Sequence, residues 1–345
     1  MFVPDITLAG GTAEELQCLC GQLAELRELG IDALYLEKFA GGNADSQMAE
    51  NPVGGKERSE NESSHAAKIL APLLSEAKLL DMKIILPLPF FSAGKEKMEF
   101  WRQRGVSGFH LGDVSAKKKG TRAAVHDRIK ELRTALPEEF LLCGAFSKGS
   151  PKALANFVKR KNRELHLLQP ILRPALVPPF AWGNKRLLTW LGRWQKGISL
   201  PLLQTNFQGA DNLDPQLVRA RLTLALCVKG VPVLRESDFS LATNQDLAAY
   251  AGRLLAFRAQ SSALKEGGFL SLQLDGQVCR FARRHKQEAV GVAINLSPQS
   301  MRVPILGQVL FGNTERSAAN LELAAYEALI LKWHTEPLRE VKKSR

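Results

Sequence analysis

The chain has 345 residues, of which 45% are hydrophobic, and this is enough to bury the core of one large domain and one small domain. Its 47 basic and 35 acidic residues give a net charge of +12, which favours acidic partners or membrane headgroups. The basic residues are dispersed and accompany no known nucleic-acid-binding motif, so we expect no nucleic-acid partner. No apolar run approaches the ~20 residues of a membrane span, and the first residues lack the features of a signal peptide.

The five cysteines indicate neither a disulfide framework nor a metal site, because their number is odd and their spacing matches no metal-ligand motif. Three of them, Cys143, Cys227 and Cys279, lie in apolar stretches, which favours buried free thiols. The cysteine spacing predicts no metal site, and we expect no cofactor.

Up to about residue 261, short apolar stretches that we predict to be buried strands alternate with amphipathic stretches at helical spacing. The first unit is a strand over Phe2 to Leu8, followed by a helix that Thr12 caps. Close to eight such units follow one another, and this pattern is typical of an α/β fold with a parallel sheet covered by helices. Eight units fit a closed (βα)8 barrel. Residues 41–64 are polar and aperiodic, which predicts an exposed loop.

After about Gly267 the pattern changes to short strand-like stretches separated by turn residues. We therefore predict a small antiparallel sheet or sandwich at the C-terminus. The predicted domains are a barrel over residues 1–265 and an antiparallel β domain over residues 266–345.

Three segments resemble the alpha-amylase superfamily of glycoside hydrolases, in which a (βα)8 barrel precedes a C-terminal β domain. Gly105–Asp113, with the sequence GVSGFHLGD, is similar to the strand that carries the catalytic nucleophile in that family. Gly230–Asp238 is similar to the segment at the eighth strand, and Tyr326–Trp333 resembles the last strand of the C-terminal domain. The three segments occur in the family's order and at fitting separations.

The resemblance implies that the family's catalytic carboxylates are absent from their usual positions. Gly112 stands in place of the nucleophile, Ala145 in place of the acid/base glutamate and Phe207 in place of the third carboxylate. His110 replaces the arginine that orients the nucleophile, and the calcium-binding insertion after the third strand is missing. Asp113 follows Gly112 directly, so we expect its side chain on the opposite side of the strand.

A barrel of this superfamily without these carboxylates or the insertion resembles the 4F2-type heavy chains of heteromeric amino-acid transporters. That resemblance implies a non-catalytic glycoprotein ectodomain on the outer face of the plasma membrane, which chaperones and docks a light-chain transporter as a heterodimer. The basic surface would then contact lipid headgroups. Because this chain has no membrane span or signal peptide, we expect a truncated or soluble form.

Two other functions remain open at this point. One is a glycoside hydrolase with relocated catalytic residues, and the other is a soluble module that binds a sugar or a protein. Independently of the function, Asn61 and Asn295 begin glycosylation sequons, so both are candidate N-glycosylation sites.

Overall fold

The computed structural model describes residues 2–3, 13–36, 55–90, 94–114, 122–146, 151–158, 164–170, 202–204, 214–235, 245–275, 277–303, 308–314 and 322–333. Its helices are α1 (Ala13–Glu28), α2 (Gly55–Leu79), α3 (Lys95–Gln103), α4 (Arg122–Thr134), α5 (Pro151–Val158), α6 (Pro215–Cys227), α7 (Gln245–Gln260) and α8 (Ser262–Lys265). Its first strands are β1 (Phe2–Val3), β2 (Ala33–Tyr35), β3 (Lys83–Pro87), β4 (Gly108–Asp113), β5 (Leu141–Phe146), β6 (Leu167–Pro170), β7 (Leu202–Gln204) and β8 (Val231–Arg235). The later strands are β9 (Gly268–Asp275), β10 (Val278–His285), β11 (Glu288–Asn295), β12 (Met301–Arg302), β13 (Gln308–Gly312), β14 (Glu322–Leu323) and β15 (Ala328–Lys332).

The first eight strands form one sheet in the order β6-β5-β4-β3-β2-β1-β8-β7. Neighbouring strands in this order pair in parallel, as the alternation of apolar and amphipathic stretches predicts. The register is regular between β2 and β3, where Ala33, Leu34 and Tyr35 lie beside Lys83, Ile84 and Ile85. The α/β class with a parallel sheet followed by an antiparallel sheet is therefore confirmed.

The parallel sheet has apolar side chains on both faces. One face packs against the helices, and its side chains belong to the large core that also contains the buried residues of α1, α2 and α6. The opposite face, which we call the inner face, carries a separate cluster of five buried residues, which are Ala33, Tyr35, Ile85, Cys143 and Val233. Burial on both faces explains why these strands are continuously apolar in the sequence.

Helix α2 begins earlier than the sequence predicts. Residues 55–64, which we expected to belong to an exposed loop, form its first turns. The loop prediction is wrong here because lysine, glutamate and arginine have good helix propensity, and the buried leucines further along hold the helix in place. No helix within the described ranges is both long enough and apolar enough to cross a membrane.

The C-terminal strands form a five-stranded antiparallel sheet in the order β13-β15-β11-β10-β9. One face of this sheet packs against the helices through residues such as Phe281, Val292 and Ile330. The other face carries Val278, Ala293 and further apolar residues, and it packs against the two-stranded sheet of β12 and β14. The central strands β10, β11 and β15 are thus covered on both faces, whereas Leu270 on β9 and Leu310 on β13 are exposed.

The buried cation Arg283, which lies on β10 and has no exposed surface, joins the antiparallel sheet to the ends of α6 and α8. Its guanidinium donates to the carbonyl oxygens of Cys227 and Val228, at the end of α6, at 3.1 and 3.3 Å. It also donates to the carbonyl oxygens of Leu264 and Gly267, next to α8. Carbonyl groups at a helix C-terminus have no partner within the helix and carry partial negative charge, so a cation there is stabilised.

A second arginine binds the same turn from α7. Arg258 donates to the carbonyl oxygens of Leu226 and Gly230, which precede β8, at 2.5 and 2.6 Å. Burial, and to a smaller extent the nearby charge of Arg258, lowers the pKa of Arg283 to about 10. Both side chains therefore remain charged at neutral pH, and both donate hydrogen bonds to the segment that precedes β8.

Replacing Arg283 with methionine tests this junction. Methionine fills much of the same volume but leaves four carbonyl oxygens without their donor, so the free energy of unfolding should fall by about 3 kcal/mol. The neighbouring Arg284→Met is the matched control, because Arg284 is exposed and should change stability by less than about 0.5 kcal/mol. Urea unfolding monitored by circular dichroism measures both, and equal midpoints for the two variants would contradict this role of Arg283.

Candidate functional site

Strand β4 contains an irregularity just before its C-terminal end. His110 lies beside Cys143 of β5, whereas Asp113 lies beside Ala145. Three steps along β4 therefore match two steps along β5, which means that β4 contains one extra residue. This is a β-bulge, a feature that redirects the side chains that follow it.

The hydrogen bonds on the other edge of β4 show the same irregularity. The carbonyl oxygens of His110 and Leu111 both accept from the segment that follows β3, from the amides of Leu88 and Phe90 at 2.9 and 3.0 Å. In a regular strand, successive carbonyl groups point to opposite neighbours. Gly112 has a φ angle of +67°, which glycine adopts without the steric cost of a side chain. The glycine therefore permits the bulge.

The bulge brings Asp113 to the inner face of the sheet. Paired residues on parallel strands share a face, and Ala145 lies two residues after Cys143, a member of the inner-face cluster. Asp113 therefore lies on the same face as Cys143, and it is exposed at the end of its strand. The expectation that Asp113 points to the opposite side is wrong, because that expectation assumed a regular strand.

The residues after the bulge support this assignment. A Cβ atom placed on Gly144 would lie 3.5 Å from Cγ2 of Val114 and 3.1 Å from Cδ1 of Leu165. Leu165 belongs to the core on the helix side, so Gly144 and Val114 face the helices. Asp113 and Ala145, their neighbours in the chain, therefore face the other way.

His110 lies below Asp113 on the inner face and is only 5% exposed. Its Nδ1 atom accepts a hydrogen bond from the amide of Gly112 at 3.2 Å. The ring centroids of His110 and Tyr35 are 4.8 Å apart. Beside it, burial raises the pKa of the Cys143 thiol to about 12, so this cysteine is uncharged at neutral pH. The buried position of His110 agrees with a core residue and not with a group that contacts substrate.

Ala145 is buried at the end of β5, and Phe207 lies outside the described residues. Among the described C-terminal ends of the eight parallel strands, Asp113 is the one residue that carries a carboxyl group. No group of three metal-ligating side chains converges anywhere in the described part of the chain. The site that the structure assembles is thus one exposed carboxylate, Asp113, above buried side chains that include His110, Tyr35 and Cys143.

The two sequons lie in different settings. Asn61 lies within α2, and its glycosylation stays a prediction. Asn295 is the last residue of β11 and is fully buried. Its amide nitrogen donates to the carbonyl oxygens of Gln299 and Ala324 at 2.7 and 2.8 Å, and its side-chain oxygen accepts from the amide of Ser297. A glycan on this nitrogen would break these bonds, so the folded structure argues against glycosylation of Asn295.

No protein-family model and no curated protein sequence matches the chain. Solved structures match it over almost its whole length. A trehalulose synthase mutant is 11% identical with a TM-score of 0.73, and the match covers 96% of this chain and 98% of that one. Isomaltulose synthase from Klebsiella sp. LX3 is 12% identical with a TM-score of 0.71 and the same coverage. Trehalose-6-phosphate hydrolase from Bacillus licheniformis is 11% identical with a TM-score of 0.70, covering 95% and 98%. The chain has the fold of these enzymes.

These matches correct the function that the sequence led us to expect. The matched proteins are synthases and a hydrolase, and none of the three is a non-catalytic transporter subunit. The prediction of a catalytically inactive heavy chain is therefore wrong, while the resemblance to the alpha-amylase superfamily holds at the level of the fold. The light-chain partner, the contact with headgroups and the plasma-membrane location stay predictions.

Alanine substitutions at two glycines test the conformation of the bulge. A Cβ atom on Gly112 or on Gly21, an exposed position in α1, would meet no atom within 4 Å, so the two positions differ mainly in backbone conformation. Gly112→Ala should lower the free energy of unfolding by about 1 kcal/mol, because its φ angle is positive. Gly21→Ala should raise it by about 0.5–1 kcal/mol, because alanine is the better helix former. Chemical denaturation measures both, and stabilisation by Gly112→Ala would contradict the bulge.

Proposed function

We propose that the chain is a glycoside-processing enzyme in which Asp113 supplies a catalytic carboxylate at the end of β4. The observation that carries this proposal is the bulge at Gly112, which turns Asp113 to the inner face beside Ala145. At Gly112 the sequence led us to expect no catalytic carboxylate, and the next residue, Asp113, supplies a carboxylate on that inner face. The fold shared with disaccharide synthases and a trehalose-6-phosphate hydrolase supports the same class of substrate.

We infer that the eight parallel strands close into a (βα)8 barrel. The strand order leaves β6 and β7 at its two ends, and Cα atoms of these strands approach within 8 Å of each other. In a closed barrel the inner face is the interior, and the C-terminal ends of the strands form the mouth where active sites lie. Asp113 would then be exposed at that mouth.

Cleavage of a glycosidic bond uses two carboxyl groups, ~5–5.5 Å apart in retaining enzymes and about 6.5–9.5 Å apart in inverting ones. In the proposed reaction a carboxylate oxygen of Asp113 bonds to the anomeric carbon while the bond to the leaving oxygen breaks. A second carboxylic acid gives its proton to that oxygen. Ala145 is unable to serve as this acid, and the sequence offers Glu236, which directly follows the last residue of β8.

Replacing Asp113 with asparagine tests the proposal. Asparagine keeps the shape but is a poor nucleophile, so kcat/KM should fall on the order of a thousandfold or more. Trehalulose, isomaltulose, trehalose 6-phosphate and an aryl α-glucoside serve as substrates, and chromatography identifies the products. Asp127→Asn is the matched control, because Asp127 is an exposed carboxylate on α4 and its loss should leave turnover unchanged.

The same assay identifies the second carboxyl group. Glu236→Gln should lower turnover of the aryl glucoside less than that of the disaccharides, because an aryl leaving group needs little protonation. Equal turnover by the wild type, Asp113→Asn and Asp127→Asn would remove Asp113 from the mechanism. Absence of turnover of all four substrates by the folded wild-type chain would overturn the proposed function.

A further inference from the structure

We propose that His110 is a positioning residue: its neutral imidazole holds the amide of Gly112, maintains the bulge and thereby keeps Asp113 on the inner face. The inference deepens the proposed function, since it takes Asp113 as the group being positioned. It stands on the geometry of β4 and not on the matched enzymes.

The hydrogen bond from Gly112 to His110 closes a small ring within one strand. It joins the amide nitrogen of Gly112 to Nδ1 of His110, two residues earlier, over 3.2 Å. An acceptor at the δ position that binds the amide two residues on has the geometry of an Asx turn, in which the side chain replaces a backbone carbonyl. The side chain of His110 therefore stabilises a turn-like backbone where a regular strand would otherwise continue.

The alternative to the bulge is a regular strand, and the two backbones place Asp113 on opposite faces. Side chains alternate along a strand, so removal of the extra residue turns every later side chain to the other side. In a regular β4, Asp113 would face the core on the helix side, near Leu165 and other apolar residues. A bond that favours the bulge thus decides whether the carboxylate faces the inner side or the helices.

The bond requires a neutral His110. Nδ1 accepts a hydrogen bond only while it is unprotonated, and an imidazolium has donors on both nitrogens. Among the described residues, the ring of Tyr35 on β2 contacts that of His110, and Cys143 on β5 and Pro87 on β3 lie beside His110 in the strand register. Strand β4 itself carries Asp113. Cys143 is uncharged at neutral pH, as its raised pKa indicates. Acidification should therefore break the bond by protonating His110 and loosen the bulge.

His110 acts through Asp113 and not on the substrate. Its side chain is 5% exposed, whereas Asp113 is exposed at the end of the strand. Its loss should consequently lower kcat much more than it alters KM, because substrate contacts elsewhere are unchanged and only the reacting carboxylate is misplaced.

Two substitutions of His110 separate positioning from simple packing. His110→Asn retains an acceptor at the δ position, so its side-chain oxygen can bind the Gly112 amide as in an Asx turn. His110→Leu keeps the bulk and removes the acceptor. The readouts are the amide shift of Gly112, the pH titration of the Asp113 side-chain carbon by NMR, and the kinetics of the full-length chain.

In the wild type we expect the amide resonance of Gly112 to shift in step with protonation of His110, and kcat to fall over the same pH range. His110→Leu should lose that coupled shift, change the titration of Asp113 and reduce kcat by roughly a hundredfold. His110→Asn should restore the Asp113 titration and most of kcat, and its activity should no longer fall over the range in which His110 titrates.

The NMR readouts do not depend on turnover, so the two proposals can fail separately. A Gly112 resonance coupled to His110, together with an Asp113 titration that changes in His110→Leu and recovers in His110→Asn, supports the positioning role even if no substrate is turned over. A Gly112 amide resonance that does not shift when His110 is protonated would overturn the positioning role. An Asp113 titration that is unchanged in His110→Leu would also overturn it, even if the wild type is an active enzyme.

Discussion

The hydrogen-bond register between β4 and β5 determines which side chains reach the inner face of the sheet. Up to His110 and Cys143 the two strands run in step, and one extra residue then separates them before Asp113 and Ala145 pair. Since side chains on a strand alternate, this single residue decides the face of everything that follows. The positive φ angle of Gly112 makes the extra residue possible, and the bond to His110 favours it.

The segment that leads into β8 of the parallel sheet is bound by arginine side chains, one of which comes from the C-terminal sheet. Arg283 crosses from the antiparallel sheet to the end of α6, and Arg258 binds the turn that leads into β8. A buried cation is costly unless its donors are used, and here carbonyl oxygens at helix ends accept from it. The start of β8, which pairs with β1, is therefore held by residues from two other parts of the chain.

This protein shares its fold with the matched enzymes, but a shared fold does not establish a shared active site. The match to sugar-converting enzymes covers almost the whole chain, yet the identity is only 11 to 12%. Fold alone does not determine function, because function depends on particular side chains at the site. The proposed enzymatic role therefore depends on the side chain of Asp113, which lies one residue beyond Gly112, the residue that replaces the expected carboxylate.

The alternation of apolar and amphipathic stretches was enough to predict the parallel sheet, the described helices apart from the start of α2, and the antiparallel sheet, because these periodicities are local properties of the chain. An isolated glycine in a strand pattern is a signal for a bulge, and Gly112 carried that signal, but its effect depends on pairing with a strand about 30 residues away. The burial of Arg283 and Asn295 likewise depends on distant carbonyl groups that no local pattern reveals. Local periodicity thus determined the elements, and only the tertiary structure decided the face of Asp113, since register is set between strands and not within one.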